Sequence, residues 1–183
     1  FVLYHRTGRI RVPTLVLHML GALGSGAFGA LFLFTGIGKA TDSARFASDI
    51  AAYRLLPLDA AFPAAYAIIV TETLLGLWLF SGAVTAVAGM VSAALLLVFA
   101  VAMGINVARG RTHLSCGCIP GVDVRLSWAS VWRNVVLAVL VFLTGLCGQP
   151  DFGLLCVEGL LMGVSLLLLC MATASLTRAE AMG

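Results

Sequence analysis

Cys116, Gly117 and Cys118 form a compact dithiol in a short polar stretch between two long apolar runs. Two cysteines one residue apart can close a small disulfide ring only if the residue between them bends freely, and glycine bends most freely. Strain in such a ring raises its reduction potential, which favours an exchangeable disulfide over a permanent one. The triplet therefore predicts a redox-active dithiol. The alternative is a structural disulfide that only holds the loop together.

The residues around the dithiol favour thiol chemistry over metal binding. Arg109 and Arg111 precede it, and nearby positive charge stabilises the thiolate, which is the reactive form of cysteine. Zinc needs about four ligands, whereas His113 is the only histidine close by, so no metal site is predicted. Cys147 and Cys156 flank a later connection and are either a second dithiol or small apolar side chains.

Glu72 lies near the middle of an apolar run, where a carboxyl group inside a membrane is costly. It should therefore face the interior of a helix bundle, paired with Lys39 or Arg109 if those side chains reach inward. The functional interpretation is that Glu72 and Lys39 line a site for protons or a quinone, and the alternative is a structural hydrogen-bond cluster. The candidate catalytic residues are Cys116, Cys118, Arg109, Arg111, Glu72 and Lys39.

The composition indicates a polytopic membrane protein. Of the 183 residues, 61% are hydrophobic and 10% are charged, and the mean hydropathy is +1.08. Soluble domains are about a quarter charged, so the shortage of charge makes the lipid bilayer the expected environment. The net charge of +3 comes without a long basic run or alternating basic and aromatic residues, so a nucleic-acid partner is not expected.

Five apolar runs are long enough to cross a bilayer, taking about 20 residues per crossing. The predicted spans, within a single transmembrane domain of residues 1–183, are 15–37, 62–80, 83–107, 131–148 and 152–174. Very short connections should make tight hairpins of the second and third spans and of the fourth and fifth. Gly21, Ser25 and Gly29 recur every four residues in the first span, which predicts a face for close helix packing.

An amphipathic segment at 42–56 follows the first span. Its apolar face consists of Phe46, Ile50 and Tyr53. A helix with this pattern lies in the membrane interface, and Asp42 or Ser43 is expected to cap it. It is either a simple connector or a lid over the mouth of the bundle, next to the loop at 108–130 that carries the dithiol.

The span count places most of the polar candidates at one end of the bundle. They are Lys39, Asn106, Arg109, Cys116, Cys118, Arg133 and Asn134. Arg133 and Asn134 have the alternative role of anchoring the fourth span at the lipid headgroups.

The side of the membrane at this end of the bundle carries eight basic residues, against three on the other side, which predicts that it is cytoplasmic. Oxidation of a protein outside the cytoplasm would place the dithiol on the other side, so both orientations stay open.

The sequence resembles the MauE family of methylamine utilisation proteins, which is part of the wider DoxX-like group of small membrane bundles. The resemblance covers about residues 30–147. Its motifs are Gly36-Ile37-Gly38-Lys39, Phe46 with Ile50 and Tyr53-Arg54-Leu55-Leu56-Pro57, Glu72, Asn106-Val107-Ala108-Arg109-Gly110-Arg111, Cys116-Gly117-Cys118, Leu126-Ser127-Trp128 and Arg133-Asn134. In much of the family another glycine closely follows the triplet, whereas Ile119-Pro120 follows it here. Cys147 and Cys156 lie outside the family pattern.

The resemblance implies an all-α fold with a DoxX-like four-helix transmembrane bundle, to which the apolar pattern adds a fifth C-terminal span and the interfacial amphipathic helix. The expected location is the bacterial cytoplasmic (inner) membrane. The resemblance also implies a thiol–disulfide oxidoreductase that works beside a thioredoxin-like protein in the maturation of a methylamine dehydrogenase-type partner. A quinone is the candidate cofactor. The alternative is a non-catalytic accessory subunit of a larger membrane complex, in which the bundle serves packing and the dithiol only staples its loop.

Overall fold

The computed structural model describes residues 12–81, 86–114 and 125–147, together with residues 161, 164 and 165. The described residues form helices α1 (Val12–Thr41), α2 (Ser43–Tyr53), α3 (Leu58–Phe80), α4 (Ala86–Ala108) and α5 (Trp128–Cys147). Outside the described residues lie most of the predicted fifth span, both short hairpin connections beyond Ser81 and Cys147, and the two dithiol cysteines.

Within the described part of the chain, α1, α3, α4 and α5 are each long and apolar enough to cross a membrane. Their outer faces carry large apolar side chains, such as Leu74, Val98 and Trp132, that are exposed by 60% or more. Such a surface suits lipid rather than water. The expectation of an all-α integral membrane protein is therefore confirmed, and these helices cover the first four predicted spans.

The four long helices form a ring with one weak side. α1 packs along both α3 and α5, and α4 packs along α5. The bundle core is made by Phe28, Phe32, Leu79, Leu96 and Val141, which come from all four helices. By contrast, α3 and α4 make few contacts with each other. We call the line between α3 and α4 the seam, because the ring is least closed there.

Small residues let the helices of each well-packed pair approach closely. A Cβ atom added to Gly76 of α3 would lie 2.8 Å from the backbone nitrogen of Leu33 in α1. The small face predicted on α1, with Gly21, Ser25 and Gly29, is buried in the bundle. Close approach of backbones is the usual source of attraction between helices in lipid, where dispersion replaces the hydrophobic effect.

The amphipathic segment forms α2, which covers one end of the bundle. Asp42 caps the helix, since its Oδ1 accepts a hydrogen bond from Arg45 N at 3.1 Å. Phe46 on the inner face of α2 packs with Ile69 of α3. The helix ends at Arg54, which adopts a left-handed conformation with φ of 51°. α2 therefore rests mainly on α3, and the choice between a connector and a lid stays a prediction.

Candidate functional site

Lys39 and Glu72 form a buried ion pair between α1 and α3. Lys39 Nζ lies 2.5 Å from Glu72 Oε1, and the two residues are only 5% and 2% exposed. α1 was predicted to end near residue 37, but it continues to Thr41, which keeps Lys39 inside the bundle. The physical reason is that the carboxylate compensates a charge that would otherwise be too costly to bury. Glu72 faces the interior, as predicted.

Gly36 explains how the two helices approach closely enough for this pair. A Cβ atom at Gly36 would lie 2.7 Å from Thr73 Oγ1 and 3.3 Å from Glu72 Cβ. Without a side chain at Gly36, α1 can lie directly against the turn of α3 that carries Glu72. Lys39 follows three residues later on the same face of the helix, so its side chain reaches the carboxylate.

Two aromatic rings contact the ammonium group of Lys39. Its Nζ lies 5.1 Å from the ring centre of Phe46 in α2 and 5.0 Å from that of Phe99 in α4. Cation–π contacts of this length stabilise a desolvated cation. The sequence analysis noted Phe46 only as an apolar position of an amphipathic helix and did not single out Phe99. No spacing rule links these two rings to Lys39, because they come from different helices.

Two cavities lie beside the ion pair, and Lys39 lines both of them. The first, which we call the core cavity, has a volume of about 130 Å³ and is lined on its polar side by Thr35, Lys39, Glu72, Arg133 and Asn134. Glu72 Oε2 is buried and has no hydrogen-bond partner among the described residues. The rest of the lining is apolar, and a cavity of this size beside several polar side chains has room for water. Arg133 and Asn134 are thus placed at the cavity, and Asn134 is only 3% exposed, which does not fit a simple headgroup anchor.

The second cavity lies beside the seam, mainly between α2 and α4, and is almost entirely apolar. This seam cavity has a volume of about 260 Å³ and is lined by residues of α2 such as Ile50, by residues of α4 such as Ala102, and by Ile68 of α3. Lys39 and Phe99 line both cavities. Val98 and Leu56, on the rim of the seam cavity, are 61% and 46% exposed. The seam cavity therefore opens toward the surface that lipid would cover.

Arg111 ties the base of the dithiol loop to the bundle. Its Nη1 donates to the backbone oxygen of Tyr53 at 3.3 Å and to Oδ1 of Asn106 at 3.3 Å. Asn106 is fully buried near the end of α4. On the far side of the undescribed loop residues, Leu126 N donates to Leu114 O at 3.0 Å. The two ends of the loop are thus joined to each other and to the end of α2.

Replacing Arg111 by glutamine should loosen this loop base. A hydrogen bond to a charged group contributes about 1.5–3 kcal/mol, so hydrogen–deuterium exchange at the Leu126 amide should accelerate roughly tenfold or more. Arg109→Gln is the matched control, since it removes the same charge from an exposed neighbour and should leave the exchange rate unchanged. Equal acceleration in both variants would show that net charge, and not the contacts of Arg111, holds the loop.

Of the two cations predicted as partners of Glu72, Lys39 pairs with it, whereas Arg109 is exposed. Cys116 and Cys118 lie outside the described residues, so their role stays a prediction. Cys147 at the end of α5 is half-buried, and because Cys156 is also outside the described residues, a second dithiol stays a prediction as well.

Comparison with known proteins places the chain in a family. Residues 17–147, well over half of the chain, match the family model described as methylamine utilisation protein MauE. Proteins named Methylamine utilization protein MauE are 37% identical over 111 residues in Paracoccus denitrificans and 34% identical over 112 residues in Paracoccus versutus. The matched part is 60% and 61% of this chain, respectively, and 60% of each relative.

A shorter match has higher identity. The protein of the same name from Methylorubrum extorquens is 49% identical over 49 residues, which is 26% of each chain. The chain spans about 60% of the length of the two Paracoccus relatives. No solved structure matches it with significance. The extent of the family match, from α1 through the loop to the end of α5, shows that the chain belongs to the methylamine utilisation protein MauE family.

Proposed function

We propose that this protein is a membrane thiol–disulfide redox protein that acts through Cys116 and Cys118. The observation that carries the proposal is the anchored loop base, in which the Leu114–Leu126 hydrogen bond and the contacts of Arg111 fix both ends of the dithiol loop. A partner protein needs a dithiol presented in a constant position. Anchoring at both ends supports such a presentation at the Lys39 end of the bundle.

The exchange step needs no cofactor. A thiolate of the partner attacks the Cys116–Cys118 disulfide, which gives a mixed disulfide, and the partner's second thiolate then displaces it. One disulfide breaks and one forms, while two electrons and two protons pass from the partner to this protein. In this proposal Arg109 favours the thiolate, and Arg111 positions the loop, since its guanidinium is engaged with Tyr53 and Asn106.

Family membership supports a biological setting for this chemistry. The relatives carry the name methylamine utilization protein, and we place this chain in the same process. Its partner in the proposal is a methylamine dehydrogenase-type protein whose disulfides it helps to form, with a thioredoxin-like protein as intermediary. The proposed location is the bacterial inner membrane, where the four apolar helices of the described residues would cross the bilayer.

Replacing Cys116 or Cys118 by serine tests the proposal directly. Each single variant should lose thiol–disulfide exchange with a model dithiol peptide, because serine cannot form the mixed disulfide, while helix content and thermal stability stay at wild-type values. The measurement is the rate of peptide oxidation by the purified, oxidised protein, followed by mass spectrometry.

Cys147→Ser is the matched control, since Cys147 lies at the end of α5 and away from the loop. It should retain the wild-type rate. Full exchange activity in both the Cys116→Ser and Cys118→Ser variants would sink the redox proposal. The accessory-subunit alternative would then account better for the family membership and the packed bundle.

A further inference from the structure

The hydrogen-bonding groups of the buried ion pair are only partly satisfied. An ammonium group has three donors and no acceptor. Among the described residues, Glu72 Oε1 is the only oxygen that accepts a hydrogen bond from Lys39 Nζ. Two aromatic rings cover other sides of the ammonium, and Glu72 Oε2 has no partner there. Buried ion pairs are stable when further hydrogen bonds satisfy them, so an additional oxygen beside Lys39 would be stabilised.

The seam cavity offers a route from the lipid to this ammonium group. Its walls are apolar, its rim contains exposed Val98 and Leu56, and Lys39 is its charged residue on the inner side. A binding pocket for a small organic molecule is typically apolar with a few placed polar groups. The occupant must therefore be lipid-soluble, with an apolar tail in the seam and an oxygen acceptor at its head.

The charges and rings around the cavity favour an uncharged, planar head. Glu72 already compensates the charge of Lys39, and Asp49 is the other charged residue that lines the seam cavity, so an anionic headgroup finds no net attraction. Phe46 and Phe99 also line the cavity and offer faces or edges for stacking with a flat ring. A ring carbonyl satisfies each requirement, because it is neutral, planar and accepts a hydrogen bond.

We infer that the seam cavity binds a membrane-soluble quinone, with its apolar tail between α2 and α4 and a ring carbonyl accepting a hydrogen bond from Lys39 Nζ. The inference rests on the proposed redox function for its role in electron transfer. Oxidation of the Cys116–Cys118 dithiol releases two electrons and two protons and forms the S–S bond. The quinone takes up both electrons and both protons and becomes the quinol, so the dithiol is returned to the disulfide.

Binding is measured with the full chain in phosphatidylcholine nanodiscs, using decylubiquinone as the probe. Saturable binding is expected for the wild type. Ala102→Phe, which fills the seam cavity, should weaken it by about tenfold or more, the effect of forcing a ring into occupied space. Val101→Phe is the matched control, because Val101 is the preceding residue of α4, is 60% exposed and does not line the cavity. It should bind the quinone like the wild type.

The identity of the occupant and the role of Lys39 are tested in the same preparation. The carbonyl stretching band of bound, isotope-labelled quinone should shift to lower frequency than in lipid alone, and palmitate should not displace the quinone. Non-saturable binding, equal binding by Ala102→Phe, an unshifted carbonyl band, or displacement by palmitate would each overturn the inference. Thiol exchange by Cys116 and Cys118 is measured without quinone. None of these results therefore counts against the redox proposal, and the two proposals are tested by different measurements.

Discussion

Replacing Glu72 by leucine should lower the free energy of unfolding by about 3–5 kcal/mol, the usual cost of removing one member of a buried ion pair. The ammonium group of Lys39 would then remain at 5% exposure without its carboxylate. Lys39→Met should cost a similar amount, because it leaves the Glu72 carboxyl group buried without the cation that it pairs with. The double variant Lys39→Met/Glu72→Leu should recover most of the loss, since it leaves neither charge buried.

The measurement is reversible unfolding of the wild type, the two single variants and the double variant in mixed micelles. The double-mutant cycle should give a coupling energy of about 2 kcal/mol or more, above the range usual for independent sites. Asp42→Asn is a suitable control, because it removes an exposed acidic charge near the same end of the bundle while keeping a side chain that can cap α2. Additive losses in the double variant would contradict a direct Lys39–Glu72 interaction.

Gly89→Ala should destabilise the bundle by about 1–3 kcal/mol, the typical cost of overpacking. A Cβ atom at Gly89 would lie 2.9 Å from Gly145 Cα and 3.1 Å from Val141 O. Both neighbours are backbone atoms of α5, so no side-chain rotation relieves the overlap, and α4 must move away from α5. The pair would lose the close backbone approach that holds helices together in lipid.

Gly104→Ala provides the matched control on the same helix. An added Cβ atom there meets only Val131 Cγ1, at 3.9 Å, which is an ordinary contact distance. Alanine also favours a helix more than glycine does, so this variant should unfold at or slightly above the wild-type temperature. Thermal unfolding in detergent, followed by circular dichroism, compares the two variants. Equal stability of Gly89→Ala and the wild type would show that the α4–α5 contact is looser than these distances indicate.

The glycine variants and the ion-pair variants also distinguish effects on helix packing from effects on the proposed redox chemistry. Gly89 lies in the α4–α5 contact, whereas Lys39 lines both cavities and Glu72 lines the core cavity. If the redox proposal is correct, Gly104→Ala should leave thiol exchange unchanged. The Lys39 and Glu72 variants should change quinone-dependent turnover more than exchange with a peptide, because Lys39 lines the seam cavity, Glu72 is its ion-pair partner, and the dithiol lies in a separate loop.

The sequence by itself determined the features that follow from one-dimensional patterns. Runs of apolar residues predicted the first four spans, because the length of a membrane helix is set by the thickness of the bilayer. Small residues every four positions predicted the buried face of α1. The spacing of Phe46, Ile50 and Tyr53 predicted α2, with Asp42 or Ser43 as its cap, and Asp42 is the residue that caps it. The cost of burying a carboxyl group predicted that Glu72 faces inward. Each of these depends on local periodicity or on a single group's solvation.

Only the tertiary structure decided which groups meet. Lys39, and not Arg109, pairs with Glu72 across 33 positions of sequence, because the gap at Gly36 lets α1 approach α3. The rings of Phe46 and Phe99 reach Lys39 from separate helices, and Arg111 reaches Tyr53 across 58 positions. The position of the seam also follows from the packing, since α3 and α4 make few contacts with each other. Such contacts depend on the order and spacing of packed helices, which a hydrophobic pattern does not encode, since lipid-facing and helix-facing positions are both apolar.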